Sequence, residues 1–412
     1  MLDSCLPSPT ELPKLAKNTD CDFAQELTPP RRCFKTRLLN IVMCITTFKD
    51  QPGIRLSQQL RQTMGKLTAE GIRSNDRLAR SARPARQGDQ CMGKQHVGHR
   101  EIASFADDRV NLPRDKANEL RAQARGLRER LETYLAEHPD FTLRKMLLSG
   151  SLAKGTALRS INDIDVACYI NGADAPQDVG RLLDYLAARL RKAYPNFKPE
   201  QVKPQTYSVT VSFQGSGLDV DVVPILYDGD PNWYGNLVSQ DDGSFLSTSI
   251  PRHLEFAKKR KQAQEIHFAQ VVRLVKFWAR RMKAENSNFR FKSFMIEMIL
   301  AKLCDDGLSF SDYPEALQHF FTYAARSGLR EQIAFKDYYP LSSIGTFSEP
   351  VQIIDPVNVA NNVSKLYTRA QADAIVDAAL DAGDAIDAAL KAPTKQETVR
   401  YWQKVFGSSF QV

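Results

Sequence analysis

The chain has 412 residues, with 56 Lys and Arg against 48 Asp and Glu, and 42% of its residues are apolar. That length exceeds most single domains, so two packed regions around a sizeable core are expected. No apolar run reaches the roughly 20 residues of a membrane helix, not even Leu38–Thr47, and the polar, proline-broken start does not read as a signal peptide; the chain reads as soluble and cytoplasmic.

The basic excess is uneven. Residues 1–91 hold 15 Lys and Arg against 9 Asp and Glu, which leaves 41 against 39 for the rest, so net charge alone says little about partners. The same segment holds Cys5, Cys21, Cys33, Cys44 and Cys91, at spacings that suit neither zinc nor a disulfide framework. It lacks helical or strand periodicity, and composition changes at Met92. Residues 1–91 are therefore expected to be a disordered or non-native extension, with translation starting at Met92.

From there the pattern is regular. Pro113 opens a long helix to about Glu137, with Leu120, Leu127, Leu131, Tyr134 and Leu135 as its apolar stripe. A strand at Lys145–Leu148 runs into the Gly150–Ser151 turn, a short helix at Leu152–Leu158 follows, and then a strand at Asp163–Ile170. A helix at Ala175–Ala193 leads to strands at Gln205–Phe213 and Leu218–Leu226, joined by a Gly- and Ser-rich hairpin. The stretch Asp228–Ser249 reads as irregular. Helices are expected at Arg252–Glu285, Lys292–Leu303, Tyr313–Ser327, Arg369–Leu390 and Gln396–Phe406. The sum is an α/β region, residues 92–235, and an all-α region, residues 236–412, facing each other across a cleft.

The chemistry is carried by two acidic pairs. In a strand, residues two apart share a face, so Asp163 and Asp165 stand side by side while Ile164 and Val166 point into the core. Like carboxylates this close ionise together only against a cation, which suits a divalent metal. Asp219 and Asp221 repeat the spacing one strand on, and spacing alone does not say which of them joins the first pair. Three carboxylates suffice to hold two magnesium ions roughly 3.5–4 Å apart for attack of a hydroxyl on an α-phosphate, with pyrophosphate leaving. Gly150 lets backbone amides approach phosphates, and Ser151 adds a hydroxyl at a helix start. Lys154 and Thr156 lie one turn on.

The helix around Val271–Lys283 has a basic row, Arg273, Lys276, Arg280 and Lys283, opposite its apolar side. The plain reading is a solvated face; the sharper one is that a cation reaches the triphosphate and others touch a polyanion. Ser293 could support the same phosphates. Trp233 and Tyr234 are candidates for stacking on a base, whereas Trp278, on the apolar side, reads as core. His253 and His267 read as ordinary helix residues.

Gly150–Leu158 leading to Asp163–Ile164–Asp165–Val166, with Asp221–Val222–Val223–Pro224, resembles the bacterial CD-NTase family. These are DncV-like relatives of cGAS and oligoadenylate synthase that make cyclic oligonucleotides as second messengers in CBASS anti-phage defence. Leu274–Trp278, Lys292–Glu297 and Ile353–Asn358 carry the resemblance onward, nearest to the HORMA-associated clade that makes cyclic triadenylate. It implies a bilobal polymerase-beta-like nucleotidyltransferase fold and synthesis from ATP with two Mg²⁺. It also implies metal binding at Asp163, Asp165 and Asp221 and triphosphate contacts from Gly150, Ser151, Lys276 and Ser293. The implied partners are a HORMA-domain activator, an AAA+ ATPase that removes it and an effector nuclease that senses the product. Duplex DNA along Arg273, Arg280 and Lys283 is a further expectation. A transferase acting on an antibiotic or on RNA ends would use the same three aspartates.

Overall fold

The computed structural model describes residues 95–412 apart from Asn162, Gln177 and Gln240; the expectations for residues 1–91 lie outside the described residues. The chain enters through a helix α1 (His99–Phe105), which runs through one π-helical turn into the longer α2 (Arg114–Glu137). Pro113 precedes α2 as its cap residue. Ala117, Leu120, Ala124, Leu127, Leu131 and Tyr134 recur at helical spacing and are all buried against the sheet. Each of those leucines contributes on the order of 1.5–3 kcal/mol by leaving water.

The sheet follows. Strand β1 (Leu143–Leu148) leads into a one-turn helix α3 (Gly150–Lys154) and then β2 (Asp163–Asn171), and after two short 3-10 turns comes α4 (Leu182–Ala193). Strands β3 (Val202–Pro204), β4 (Val209–Phe213), β5 (Leu218–Tyr227), β6 (Gly235–Val238) and β7 (Phe245–Thr248) complete it. Among the described residues the strand order is β1-β2-β5-β4-β3, with β6 joined to β5 and β7 to β6; β2 and β5 run parallel and the other pairs antiparallel. Alternation along β2 sends Ile164, Val166 and Cys168 into the core shared with α2 and α4, while Ala167 and Tyr169 on the other face join a small cluster with Val223, Ile225, Leu237 and Ile250. Asp163 and Asp165 begin that second face, beyond the apolar cover.

The rest is mainly helical: α5 (Ile250–Ala263), α6 (Glu265–Glu285), α7 (Ser293–Asp305), α8 (Tyr313–Ser327), a small hairpin of β8 (Ile354–Asp355) and β9 (Asn358–Asn362), α9 (Arg369–Lys391) and α10 (Lys395–Phe406). These helices share their own core, with Trp278, Phe320, Phe321 and Trp402 fully buried.

Several sequence expectations need correction. The single helix expected over 252–285 is two, broken at Gln264, with Glu265 held at φ 50°. The short helix starts at Gly150 rather than Leu152 and ends at Lys154, because Gly155 turns left-handed at φ 73°. The strand expected over 205–213 starts only at Val209, as β4, and the short β3 ends before it at Pro204. The stretch read as irregular contains β6 and β7, so the sheet runs past the boundary expected at residue 235. Val97, Ile102, Phe105 and Val110, near the start of the expected sheet region, pack into the helical core.

Candidate functional site

Strands β2 and β5 bring the acidic pairs together. Their parallel register sets Asp163 opposite Asp219 and Asp165 opposite Asp221, all on one face at this end of the sheet. Asp219 is buried and accepts the Ser212 hydroxyl at 2.6 Å; Asp221 is half-buried and accepts the Thr210 hydroxyl at 2.5 Å. Strand β4 supplies both donors from the neighbouring register. Burial, then the charges of Asp163 and Asp221, push Asp165 up to about 7, although Lys154 and Lys276 pull the other way. Among the described residues no group of three or more His, Cys, Asp or Glu is drawn together closely enough to hold a metal ion by itself. Asp163, Asp165 and Asp221 each keep partial exposure, which suits a hard cation that completes its shell with water and substrate oxygens.

The Gly150 turn is built against this face. The Ser149 amide donates to the Asp165 carbonyl at 2.8 Å. Gly150 sits at φ 62°, and a Cβ placed there would lie 1.6 Å from Asp165 Oδ2, so any side chain would collide with the carboxylate. Glycine is therefore required twice over, by conformation and by contact. Ser151 follows, half-buried, and α3 has no side-chain cap.

Behind the turn lies a buried ionic knot. Lys154 Nζ donates to Glu297 Oε2 at 2.5 Å and Lys276 Nζ to Glu297 Oε1 at 2.6 Å. Thr156 donates its hydroxyl to the same carboxylate at 2.9 Å and accepts from Lys276 at 3.0 Å. Lys154, Lys276 and Glu297 are each only 5–6% exposed. Burial alone would raise the Glu297 carboxyl, but the two ammonium groups outweigh it and hold the group down at about 2.

The basic row on α6 is a seam at Arg273 and Lys276 and a solvated face at Arg280 and Lys283. Lys276 is buried in the knot, and half-buried Arg273 donates to Asn111 at 2.8 Å, the Gly155 carbonyl at 2.6 Å and Gln270 at 2.6 Å. Arg280 is exposed but donates to Ser160, and Lys283 is exposed at the far end. Arg273 thus faces the sheet region, with its guanidinium engaged by partners within the chain. Ser293 is the first residue of α7, half-buried, and Glu297 lies one turn on. Lys292 precedes it with no side-chain cap bond; burial, then Arg290, pushes its amine down to about 8.

The aromatic candidates for base stacking are engaged locally. Trp233 stacks on Tyr227 with ring centroids 4.7 Å apart and carries Lys145 Nζ over its ring at 4.0 Å. Tyr234 is half-buried. Trp278 is core, as its helical spacing implies, and His253 is buried beside Asp355. Sequence reasoning missed Glu297; its four-residue spacing from Ser293, on one helix face, was the available signal.

With the geometry established, likeness to known proteins is informative. Residues 99–260 match the family described as the Second Messenger Oligonucleotide or Dinucleotide Synthetase domain. A relative from Escherichia coli (strain MS 115-1), called Cyclic AMP-AMP-AMP synthase, is 69% identical over 320 residues, covering 78% of this chain and all of the relative. A solved structure of E. coli MS115-1 CdnC with ATP superposes with a TM-score of 0.72 at 69% identity, covering 77% of this chain and all of that one. A second, of the same cyclase in complex with HORMA-deltaN, has the same TM-score at 68% identity, covering 77% of this chain and 99% of that one. The chain belongs to the second messenger oligonucleotide or dinucleotide synthetases, the CD-NTases of CBASS.

Proposed function

We propose that this protein makes a cyclic oligoadenylate second messenger, cyclic AMP-AMP-AMP, from ATP in anti-phage defence. The observation that carries the reading is the acidic face: Asp163, Asp165 and Asp221 on paired parallel strands, with the Gly150 backbone pressed against Asp165. The identity to the E. coli synthase agrees with it.

The donor set fits a divalent metal, since it is all carboxylate oxygen and Asp165 is raised by burial and then by its like-charged neighbours. Asp163, Asp165 and Asp221 would hold two Mg²⁺, which when bound supply Lewis-acid charge to the attacking and departing oxygens. Thr210 orients the Asp221 carboxylate by its hydroxyl. The Gly150–Ser151 backbone and the Ser151 hydroxyl bind the donor triphosphate, Ser293 meets it from α7, and Lys276 contributes positive charge from the seam. A ribose hydroxyl attacks the α-phosphate and pyrophosphate leaves; repetition lengthens the chain, and the last attack closes the ring.

The partners follow the same reading: a HORMA-domain activator, an AAA+ ATPase that removes it and an effector nuclease that senses the product. Duplex DNA would meet the exposed end of α6 at Arg280 and Lys283. Unchanged DNA retention in a gel shift after charge reversal at those two positions would eliminate that contact.

The decisive experiment incubates the full chain with single and mixed NTPs, with and without a HORMA partner and duplex DNA, and resolves products by mass. Cyclic triadenylate from ATP alone is expected. Products that form only when an antibiotic or an RNA end is added would replace the synthase reading with a transferase.

A further inference from the structure

Glu297 receives two ammonium groups from opposite sides of the seam. Lys154 comes from α3, directly behind the Gly150–Ser151 turn, and Lys276 comes from α6. One carboxylate against two ammonium groups leaves a net positive charge buried beneath the acidic face, where both lysines act on Asp165. Helix α3 is five residues long, too short to hold its own place. Three cations, alongside the Thr156 bonds, tie it to the helical region: Lys154 on Glu297, Lys261 on the Lys154 carbonyl at 3.3 Å, and Arg273 on the Gly155 carbonyl at 2.6 Å. Of these three cation links, the first is the most deeply buried and the only one that also binds Lys276.

We propose that Glu297 is a positioning residue for the donor nucleotide. By holding Lys154 and Lys276 across the seam, it sets the distance between the Gly150–Ser151 turn and the Lys276 charge, and so shapes the cradle for the ATP phosphates. The inference rests on the ATP reading above. In Glu297→Gln, the two buried ammonium groups lose the carboxylate that joins them, so they separate or lose a proton, and the turn moves with Lys154. Glu297→Asp keeps the charge but shortens the arm by one methylene.

The test is equilibrium binding of a nonhydrolysable ATP analogue with Mg²⁺ to the full chain, in the wild type, Glu297→Gln, Glu297→Asp, Lys154→Met and the Lys154→Met/Glu297→Gln double variant. Glu297→Gln is expected to weaken binding at least about tenfold, the range for groups that orient a binding side chain. Glu297→Asp, chosen to fold even where the glutamine variant does not, is expected to weaken it about threefold or more. The double variant should lose less than the product of the single losses, because the residues act through one contact. Wild-type affinity in both Glu297 variants, or fully multiplicative losses, overturns the clamp alone. A wild-type chain that does not bind the analogue overturns the ATP-site reading and the clamp with it.

Discussion

Two carboxylates that share the same two lysine neighbours are driven in opposite directions. Asp165, at the acidic face, is pushed up to about 7 by burial and by Asp163 and Asp221, whereas Glu297, in the seam, is held at about 2 because Lys154 and Lys276 outweigh its burial. The same two lysines act on both groups. The seam is satisfied within the chain and serves to join two regions; the acidic face accumulates like charge that a bound cation would relieve. A buried charge with its own counter-charges marks structure, and a cluster of partly exposed like charges marks a place for a ligand.

The largest test of that contrast is chemical. Asp163→Ala with Asp165→Ala should reduce cyclic product by roughly a thousandfold or more while circular dichroism stays unchanged, since such carboxylates supply several kcal/mol through their metal. Retained synthesis would remove the acidic face from the mechanism. Next, stability should separate the two carboxylates by sign. In urea unfolding of metal-free protein, Glu297→Gln is expected to lose about 3–5 kcal/mol by stranding buried charge. Asp165→Asn should gain about 1 kcal/mol by removing a repelled one. Shifts of the same sign would break the comparison.

Smaller effects sharpen it. Arg273→Met strands acceptors on Asn111, Gly155 and Gln270 and should cost about 1–3 kcal/mol. Lys283→Ala, at the exposed end of the same row, should stay within about 0.5 kcal/mol. Equal losses at the two positions would contradict the seam. The smallest effect is in pH. Below the ordinary carboxyl value of 3.8 both states hold the Asp165 proton, and between there and about 7 the folded state holds more. Stability of the metal-free protein therefore falls as pH rises through that window, with the full penalty present above it. Millimolar Mg²⁺ should accordingly raise Tm by a few degrees more at pH 8 than at pH 6.5. Glu297 has the opposite sign: its contribution is complete above 4.5 and is lost as pH falls toward about 2, so it does not interfere there.

Much of this was legible before any coordinates. Period-two alternation placed Asp163 and Asp165 on one face, and helical spacing outlined α2, α8 and α9 within a residue or two. Strands β6 and β7 were not legible, because four-residue strands are held by neighbours such as Leu226, paired with Asn236, rather than by any periodic signal of their own. The break at Gln264 was hidden because it falls in the polar run Lys258–Glu265, where no apolar period marks the end of either helix, and Glu265 takes up a positive φ there.

The role of the α6 basic row shows the limit most clearly. Amphipathic spacing puts Arg273, Lys276 and Arg280 on one side of the helix but is silent on what that side meets. Tertiary packing turned the row against Asn111, Thr156 and Ser160. By itself the sequence determined the spacing of the carboxylates, the need for glycine at a turn and the helical faces, all of which depend on residues a few positions apart. Only the folded chain decided that Asp221 stands level with Asp165 and that Glu297 meets Lys154 across 143 positions, because strand register and long-range charge pairing arise from contacts that local order does not encode.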